Sequence, residues 1–466
     1  MSSTRRPGLG VPRRWRLRDV VLLSLPPFVA ALYLLGASVG DYRQLRQFDD
    51  WWSQTARVDR FAWWRVRSAL RLPRAHALDA SLTAEDRQRA LVDLRVDRDE
   101  FDRMASDPIG RAGMSVKGEL VAGNSSQEVE VKLRGDTSVH WTGEKKTLAI
   151  KSDRGEMFHQ SRVNVFSAKE VLAQFASNSM AADFGLLAPP TSVVPVFLNQ
   201  RFAGMYRAFA PLDETFLRNA GRVPGNIFRG DTAERGDYFK GLPRELFVNP
   251  YIWDRVAKND RPGAIGTSKL FEFVARVNQA GSNEVSRLDG FDSPTSKLFE
   301  FLDRDEIARL FALDLCVGDP WHTSGVHNHF WYEDSSSGIL HPIPWDLRML
   351  DLERPPPGAQ FNRFWRAALR DPRIFAAAMK EIHQRNDDGA LLKRVTRRVE
   401  TTWQRYRDGF EYDRLRCGPT GTAANSDVGS PQEVLAVLRK NLATLETWAS
   451  DARASFSLTS IDEDTL

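Results

Sequence analysis

Hydrophobic and polar positions follow two periods along this chain. VEVKLRG (129–135), TLAIK (147–151) and SVVPVFLN (192–199) carry alternating apolar residues, the pattern of strands. KEVLAQFASNSMAADFG (169–185) and DRDEIARLFALDLCVG (303–318) have helical spacing, and each ends on a glycine, Gly185 or Gly318, suited to stop a helix. VHNHFWY and GILHPI flank the turn signal EDSSSG, so residues 326–343 read as a hairpin. Beyond Pro355 the pattern is almost entirely helical. Its last helix opens with the capping-box residues Ser430-Pro-Gln-Glu433. Strands first and helices afterwards predict an α+β domain with a helical C-terminal part. Residues 221–300, rich in Gly, Pro, Asn and Asp, read as an insertion of loops and short helices. There is no internal repeat and no long low-complexity tract.

One segment has neither period. Val20 to Val39 is uncharged and its length matches the ~20 residues needed to span a bilayer as a helix. Arg5, Arg6, Arg13, Arg14, Arg16 and Arg18 precede it, whereas the three arginines up to Arg57 are offset by Asp41, Asp49 and Asp50. The positive-inside rule then predicts a single-pass protein: a cytoplasmic basic tail (1–19), a transmembrane anchor (20–39) and a main domain exported to the periplasm or cell exterior. The apolar run is longer than a signal-peptide core, and Gly36-Ala37-Ser38 is a poor cleavage site, so a retained anchor is preferred. Residues 40–76 alternate tryptophans with arginines and form a juxtamembrane stalk, open between an interfacial helix and one packed on the domain. The main domain is assigned to 77–455 and an acidic tail to 456–466.

Composition narrows the classes. With 466 residues, 42% of them hydrophobic, the chain can bury one large core or two medium ones. The net charge of +4 arises from 65 basic and 61 acidic residues interleaved along the sequence, which argues against a nucleic-acid partner. Cys316 and Cys417 have no zinc-ligand spacing. Cys316 lies in an apolar run and reads as a buried thiol, with one disulfide left open for an exported domain.

The densest polar cluster is GDPWHTSGVHNHFWYEDSSSGILHPIPWDL, residues 318–347. Folding the hairpin about Ser336-Ser337 sets Asn328 nearly opposite Asp346, and Asp319 follows a buried helix that holds it rigidly. Two carboxylates and a carboxamide then converge on one mouth. Hard cations such as Mg²⁺ take oxygen ligands of this kind, and phosphoryl transfer needs such a metal plus a carboxylate to orient the attacking hydroxyl. Asp, Asn, hairpin, Asp is the order a protein kinase uses for its base and its metal ligands. His322, His327, His329 and His341 share the segment. His327 and His329 point away from Asn328, so a histidine metal site there would be separate, and ordinary packing is the expectation.

VEVKLRGDTS…KKTLAIK, VPVFLNQRFAGMYRAF and GDPWHTSGVHNHFWY…LHPIPWDL resemble successive signature segments of the CotH spore-coat kinase family. LRVDRDEFDRM resembles the strand and helix that open such domains, and EVLAVLRKNL continues the likeness beyond residue 350. The resemblance implies an atypical protein-kinase-like fold that binds ATP with Mg²⁺ or Mn²⁺ and phosphorylates Ser or Thr in proteins, here in an envelope or secreted protein. Carried over by position, it implies Asp319 as the catalytic base and Asn328 and Asp346 as metal ligands. Arg134 and Lys146, with Lys151 as the alternative to Lys146, are implied near the nucleotide phosphates. Asn199 and Gly204 fall in an NxxxxGxY hairpin, with Gly204 serving the backbone and Tyr206 the core. Two departures stand out: Ala210 or Pro211 replaces the family's glutamate, and Trp345-Asp346-Leu347-Arg348 replaces WDxD. They keep open a catalytically weak or inactive pseudokinase serving as a membrane-anchored scaffold module in envelope or surface-polymer assembly.

Overall fold

The structure, a computed structural model, describes residues 92–106, 113–122, 125–135, 140, 145–152, 161–167, 170–230, 246–257, 268–281, 294–318, 328–352, 362–416 and 430–463, with isolated helical positions between 29 and 43. Strands β1 (Val92–Val96), β2 (Ser115–Ala122), β3 (Ser125–Leu133), β4 (Leu148–Lys151), β5 (Arg162–Phe166), β6 (Thr191–Leu198) and β7 (Arg201–Phe209) close a barrel in the order β1-β2-β3-β4-β5-β7-β6. All pairings are antiparallel except β1 with β6. The expected strands 129–135, 147–151 and 192–199 correspond to β3, β4 and β6.

Alternation explains how the barrel fills. Val131, Ile150, Val165, Val194, Tyr206 and Ala208 point inward and form one apolar cluster, joined by Phe101 and Met104 of α1 (Arg98–Ser106). Strands β6 and β7 are apolar on both faces, because Val193, Phe197, Phe202 and Met205 pack outward into a second, larger core. That core takes in α2 (Val171–Asp183) and the helices of the C-terminal part.

The β6–β7 turn is made by Asn199 and Gln200, both with positive φ (50° and 65°). Asn199 also ties β1 to the turn: its N–H donates to Leu94 O (2.7 Å) and its Oδ1 accepts from Val96 N (2.8 Å). Gly204 has φ 133°, and a Cβ there would lie 2.4 Å from Asp413 Oδ1 and 2.9 Å from Lys145 Cδ. Asp413 Oδ2 accepts from Met205 N (3.0 Å) and Lys145 Nζ (2.6 Å), fastening the C-terminal part to the barrel. Tyr206 is a barrel-core residue. We therefore expect Gly204→Ala to lower unfolding free energy by about 3 kcal/mol, through strain and overpacking together, measurable by urea titration.

Between β7 and the hairpin lie α3 (Glu214–Asn219), β8 (Asn226–Gly230), β9 (Trp253–Ala257), α4 (Ser268–Gly281), α5 (Pro294–Leu298) and α6 (Arg304–Val317). Strands β10 (His329–Glu333) and β11 (Leu340–Ile343) complete a four-stranded sheet ordered β11-β10-β8-β9. Loops and short helices thus do not account for all of 221–300. Two strands lie there, β8 pairing with β10 of the hairpin and β9 with β8, and the 14-residue helix α4 buries Leu270, Phe273, Val274 and Val277 in the large core. Their signal is hidden by the turn-rich residues around them.

Helix α6 begins and ends where its sequence indicates. Asp303 caps it, accepting from Glu306 N at 2.7 Å, and Gly318 closes it in the left-handed region, donating to Asp314 O at 2.9 Å. Cys316 within it is a free, fully buried thiol whose pKa burial pushes up to about 12. Helices α7 (Arg363–Ala368), α8 (Pro372–Arg385), α9 (Ala390–Arg405), α10 (Arg407–Arg416) and α11 (Pro431–Glu463) form the predicted helical part. The capping box opens α11: Ser430 N donates to Glu433 Oε2 (2.8 Å) and Glu433 N to Ser430 Oγ (3.3 Å). Helix α11 runs into the segment expected as an acidic tail.

Most of the N-terminal expectations lie outside the described residues. Of 20–39, six positions are described, all helical, with Val29, Leu32, Tyr33 and Leu35 exposed. Among the described residues no helix is long and apolar enough to cross a membrane.

Candidate functional site

The β10–β11 ladder pairs Phe330 with Ile343, and continuing that register sets Asn328 against Trp345, one residue from Asp346. Trp345 anchors the base of the hairpin to the barrel, with its ring 5.1 Å from Phe209 of β7 and 5.1 Å from Phe330. Asn328 and Asp346 both leave the ladder with positive φ, 61° and 53°. Asn and Asp tolerate this region best among non-glycine residues, yet each position still costs on the order of 1 kcal/mol that surrounding contacts must offset. The strained backbone brings the side chains together, and Asn328 Nδ2 donates to Asp346 Oδ2 at 3.3 Å.

A third group, not among the residues expected from the sequence, completes the site. Arg207 of β7 is 4% exposed and donates from Nη2 to Asp346 Oδ1 at 3.3 Å. Its parity explains its place: Tyr206 and Ala208 fill the barrel, so Arg207 faces outward beside Met205 and Phe209. The guanidinium lies over the rings of Phe209 (4.7 Å) and Phe166 (5.3 Å). Its Nε is buried without a hydrogen-bond partner. Burial pulls the Arg207 pKa down to about 10, Asp346 opposes that shift, and the like charge of Arg348 adds to it. The available signal was a lone cation in the apolar run GMYRAFA, a position that must be buried if the run is a two-faced strand.

Asp319 lies outside the described residues. Arg134 is exposed just past β3, its backbone N–H bonded to Thr147 O at 2.9 Å. Lys146 is half-buried ahead of β4, while its neighbour Lys145 makes the buried contact with Asp413 described above. Lys151 ends β4 opposite Glu130. The Glu130 carboxyl is held below its usual range, first by a hydrogen bond from Ser115 and then by Lys132 and Lys151. The cation seen at Asp346 is Arg207.

The histidines pack. His329 meets the ring of Phe247 edge-on at 5.4 Å, with Nε2 3.4 Å from Asn362 Nδ2, and His341 Nδ1 lies 2.7 Å from Glu306 Oε2. His322 and His327 are outside the described residues. No group of three His, Cys, Asp or Glu residues suited to a metal ion occurs among the described residues. A cavity of about 20 Å³ beneath the hairpin, lined by Asn328, Trp331, Pro344 and Trp365 among others, has room for about one water, too little for a nucleotide.

The donors Asp346 and Asn328 are oxygen ligands of the sort a hard divalent cation takes, so the residues present fit such an ion. Arg207 already neutralises one side of the carboxylate, and any metal at Asp346 must compete with it.

No curated protein matches the chain. Among solved structures, the HipA, HipB toxin–antitoxin system and operator DNA complex of Shewanella oneidensis MR-1 aligns at 12% identity over 76% of this chain and 71% of that chain. Its TM-score of 0.25 is too low to bear on fold or function. The family model described as CotH kinase protein matches residues 131–352, from near the end of β3 to just past the Asp346 segment, and so takes in Arg207, Asn328 and Asp346. Residues 131–352, a little under half of the chain, are thus similar to the CotH kinase protein family.

Proposed function

We propose that this domain binds ATP with Mg²⁺ or Mn²⁺ and transfers phosphate to Ser or Thr of an envelope or secreted protein. The observation that carries the proposal is the meeting of Asn328 and Asp346, both in the left-handed region, within the family-matched segment. When bound, the metal would neutralise charge on the phosphate oxygens, held by Asp346 and Asn328. Arg207, through its contact with Asp346, orients that carboxylate and adds positive charge beside it. Asp319 is assigned as the base that accepts the acceptor hydroxyl's proton, with Arg134, Lys146 and Lys151 toward the phosphates. The topology proposed with this reading has residues 20–39 in the membrane and the domain exported. Transfer from radiolabelled ATP by the purified full-length chain, with a metal titration and an envelope protein extract as acceptor, tests the reading. Asp319→Ala is expected to lower incorporation by about 100-fold or more while ATP binding survives. Equal signals from the two chains would refute the assignment.

The Arg207–Asp346 pair also favours a second reading, a pseudokinase scaffold, because a resident cation at Asp346 takes over part of the metal's electrostatic role. Metal–ATP that leaves the melting temperature unchanged supports this reading, and a clear upward shift opposes it.

A further inference from the structure

Asp346 keeps a costly backbone conformation, and the residue after it shows what holds it there. Both backbone groups of Leu347 are engaged by a single side chain of α2. Asn178 Nδ2 donates to Leu347 O at 3.0 Å, and Asn178 Oδ1 accepts from Leu347 N at 3.4 Å. Ser177 Oγ donates to the same carbonyl at 2.8 Å. Only a carboxamide can give and accept in this paired way, as a neighbouring strand would. The rest of α2 is itself fixed. Arg398 of α9 donates to Ser179 Oγ (2.8 Å) and Asp183 Oδ2 (3.1 Å), so the grip on Leu347 comes from a braced helix.

We propose that Asn178 is a positioning residue for Asp346, holding the Leu347 backbone so that the Asp346 carboxylate stays beside Asn328 and Arg207. The proposal rests on the reading of Asn328 and Asp346 as the metal–nucleotide site. The Leu347 N–H belongs to the peptide plane that follows Asp346 and its C=O to the next plane, so holding both fixes the chain just past Asp346 and opposes rotation of Asp346 back to the extended region. Without the clamp, Asp346 relaxes and the oxygen donors separate.

A second carboxamide, this one fully buried, provides a structural reference. Asn441 of α11 is fully buried, donates to Leu350 O (2.8 Å) and Cys316 O (3.0 Å), and accepts from Leu352 N (2.8 Å). It acts farther along the same segment, and it lies outside the family-matched residues. Removing it should loosen the fold generally, whereas removing Asn178 should loosen Asp346 in particular.

The test compares full-length wild type with Asn178→Leu, which keeps the branched side-chain shape without the polar groups, and with Asn441→Ala. Three quantities are read: Mn²⁺–ATP affinity, melting temperature, and hydrogen exchange of the peptide spanning residues 345–350. For Asn178→Leu, affinity is expected to fall about tenfold and exchange at 345–350 to accelerate, with a smaller loss of melting temperature than Asn441→Ala causes. Unchanged exchange and affinity in Asn178→Leu would overturn the proposal, as would an affinity loss that merely tracks melting temperature across both variants. If wild type binds no Mn²⁺–ATP, the metal-site reading fails, and the exchange arm still decides whether Asn178 holds the Asp346 segment.

Discussion

Asp346→Ala should abolish metal-dependent nucleotide binding and destabilise the fold at the same time, two effects with separate origins. The binding loss follows from removing the sole carboxylate among the described residues of the site, and a fall of about 100-fold in Mg²⁺–ATP affinity is expected. The stability loss comes from the other side of the pair. Arg207 is 4% exposed, its Nε already lacks a partner, and Asp346 is its carboxylate contact. Stranding a buried guanidinium costs about 3 kcal/mol, well above the median for an exposed ion pair. Denaturant unfolding and calorimetric titration of the same variant separate the two losses. A variant that binds metal–ATP as wild type does would remove Asp346 from the site altogether.

Arg207→Met should move binding in the opposite direction. The guanidinium occupies one side of the Asp346 carboxylate at 3.3 Å, within an apolar slot formed by Phe166 and Phe209. Methionine fills a comparable volume without a charge, and the carboxylate left behind, 16% exposed, can still reach water. Stability is therefore expected to change by less than in Asp346→Ala. With the resident cation gone, a divalent metal no longer competes for Asp346, and affinity should rise about tenfold, equivalent to about 1.4 kcal/mol. A loss of ATP affinity instead would mean that Arg207 contacts phosphate directly, in the manner of other arginine clamps. The double variant completes a cycle: coupling between the two positions measures the pair itself, free of each residue's packing.

Local patterns carried much of the site. The turn EDSSSG, flanked by apolar runs of similar length, is enough to oppose Asn328 and the Trp345-Asp346 pair, because a hairpin's register follows from its turn. Asp303, Gly318 and the Ser430–Glu433 box mark helix ends through hydrogen bonds within three or four residues, so their roles are legible without the fold. Arg207 was not legible in the same way. Its sequence neighbours show that it sits in an apolar strand, but its partner lies 139 residues away, just past the last strand of the other sheet. The strands β8 and β9 were obscured by the turn-forming residues around them, and β8 joins β10 across about a hundred residues of sequence.

The chain by itself determined the α+β order, the helix termini, the hairpin and the meeting of Asn328 with Asp346, since each depends on short-range periodicity or on a turn. Tertiary structure alone decided that the first seven strands close on themselves, that β7 delivers a buried cation to Asp346, and that Asn178 and Asn441 grip the backbone beyond it. Those features pair groups far apart in sequence, and a pairing of that kind leaves no local pattern: it exists only once burial has removed water as the competing hydrogen-bond partner.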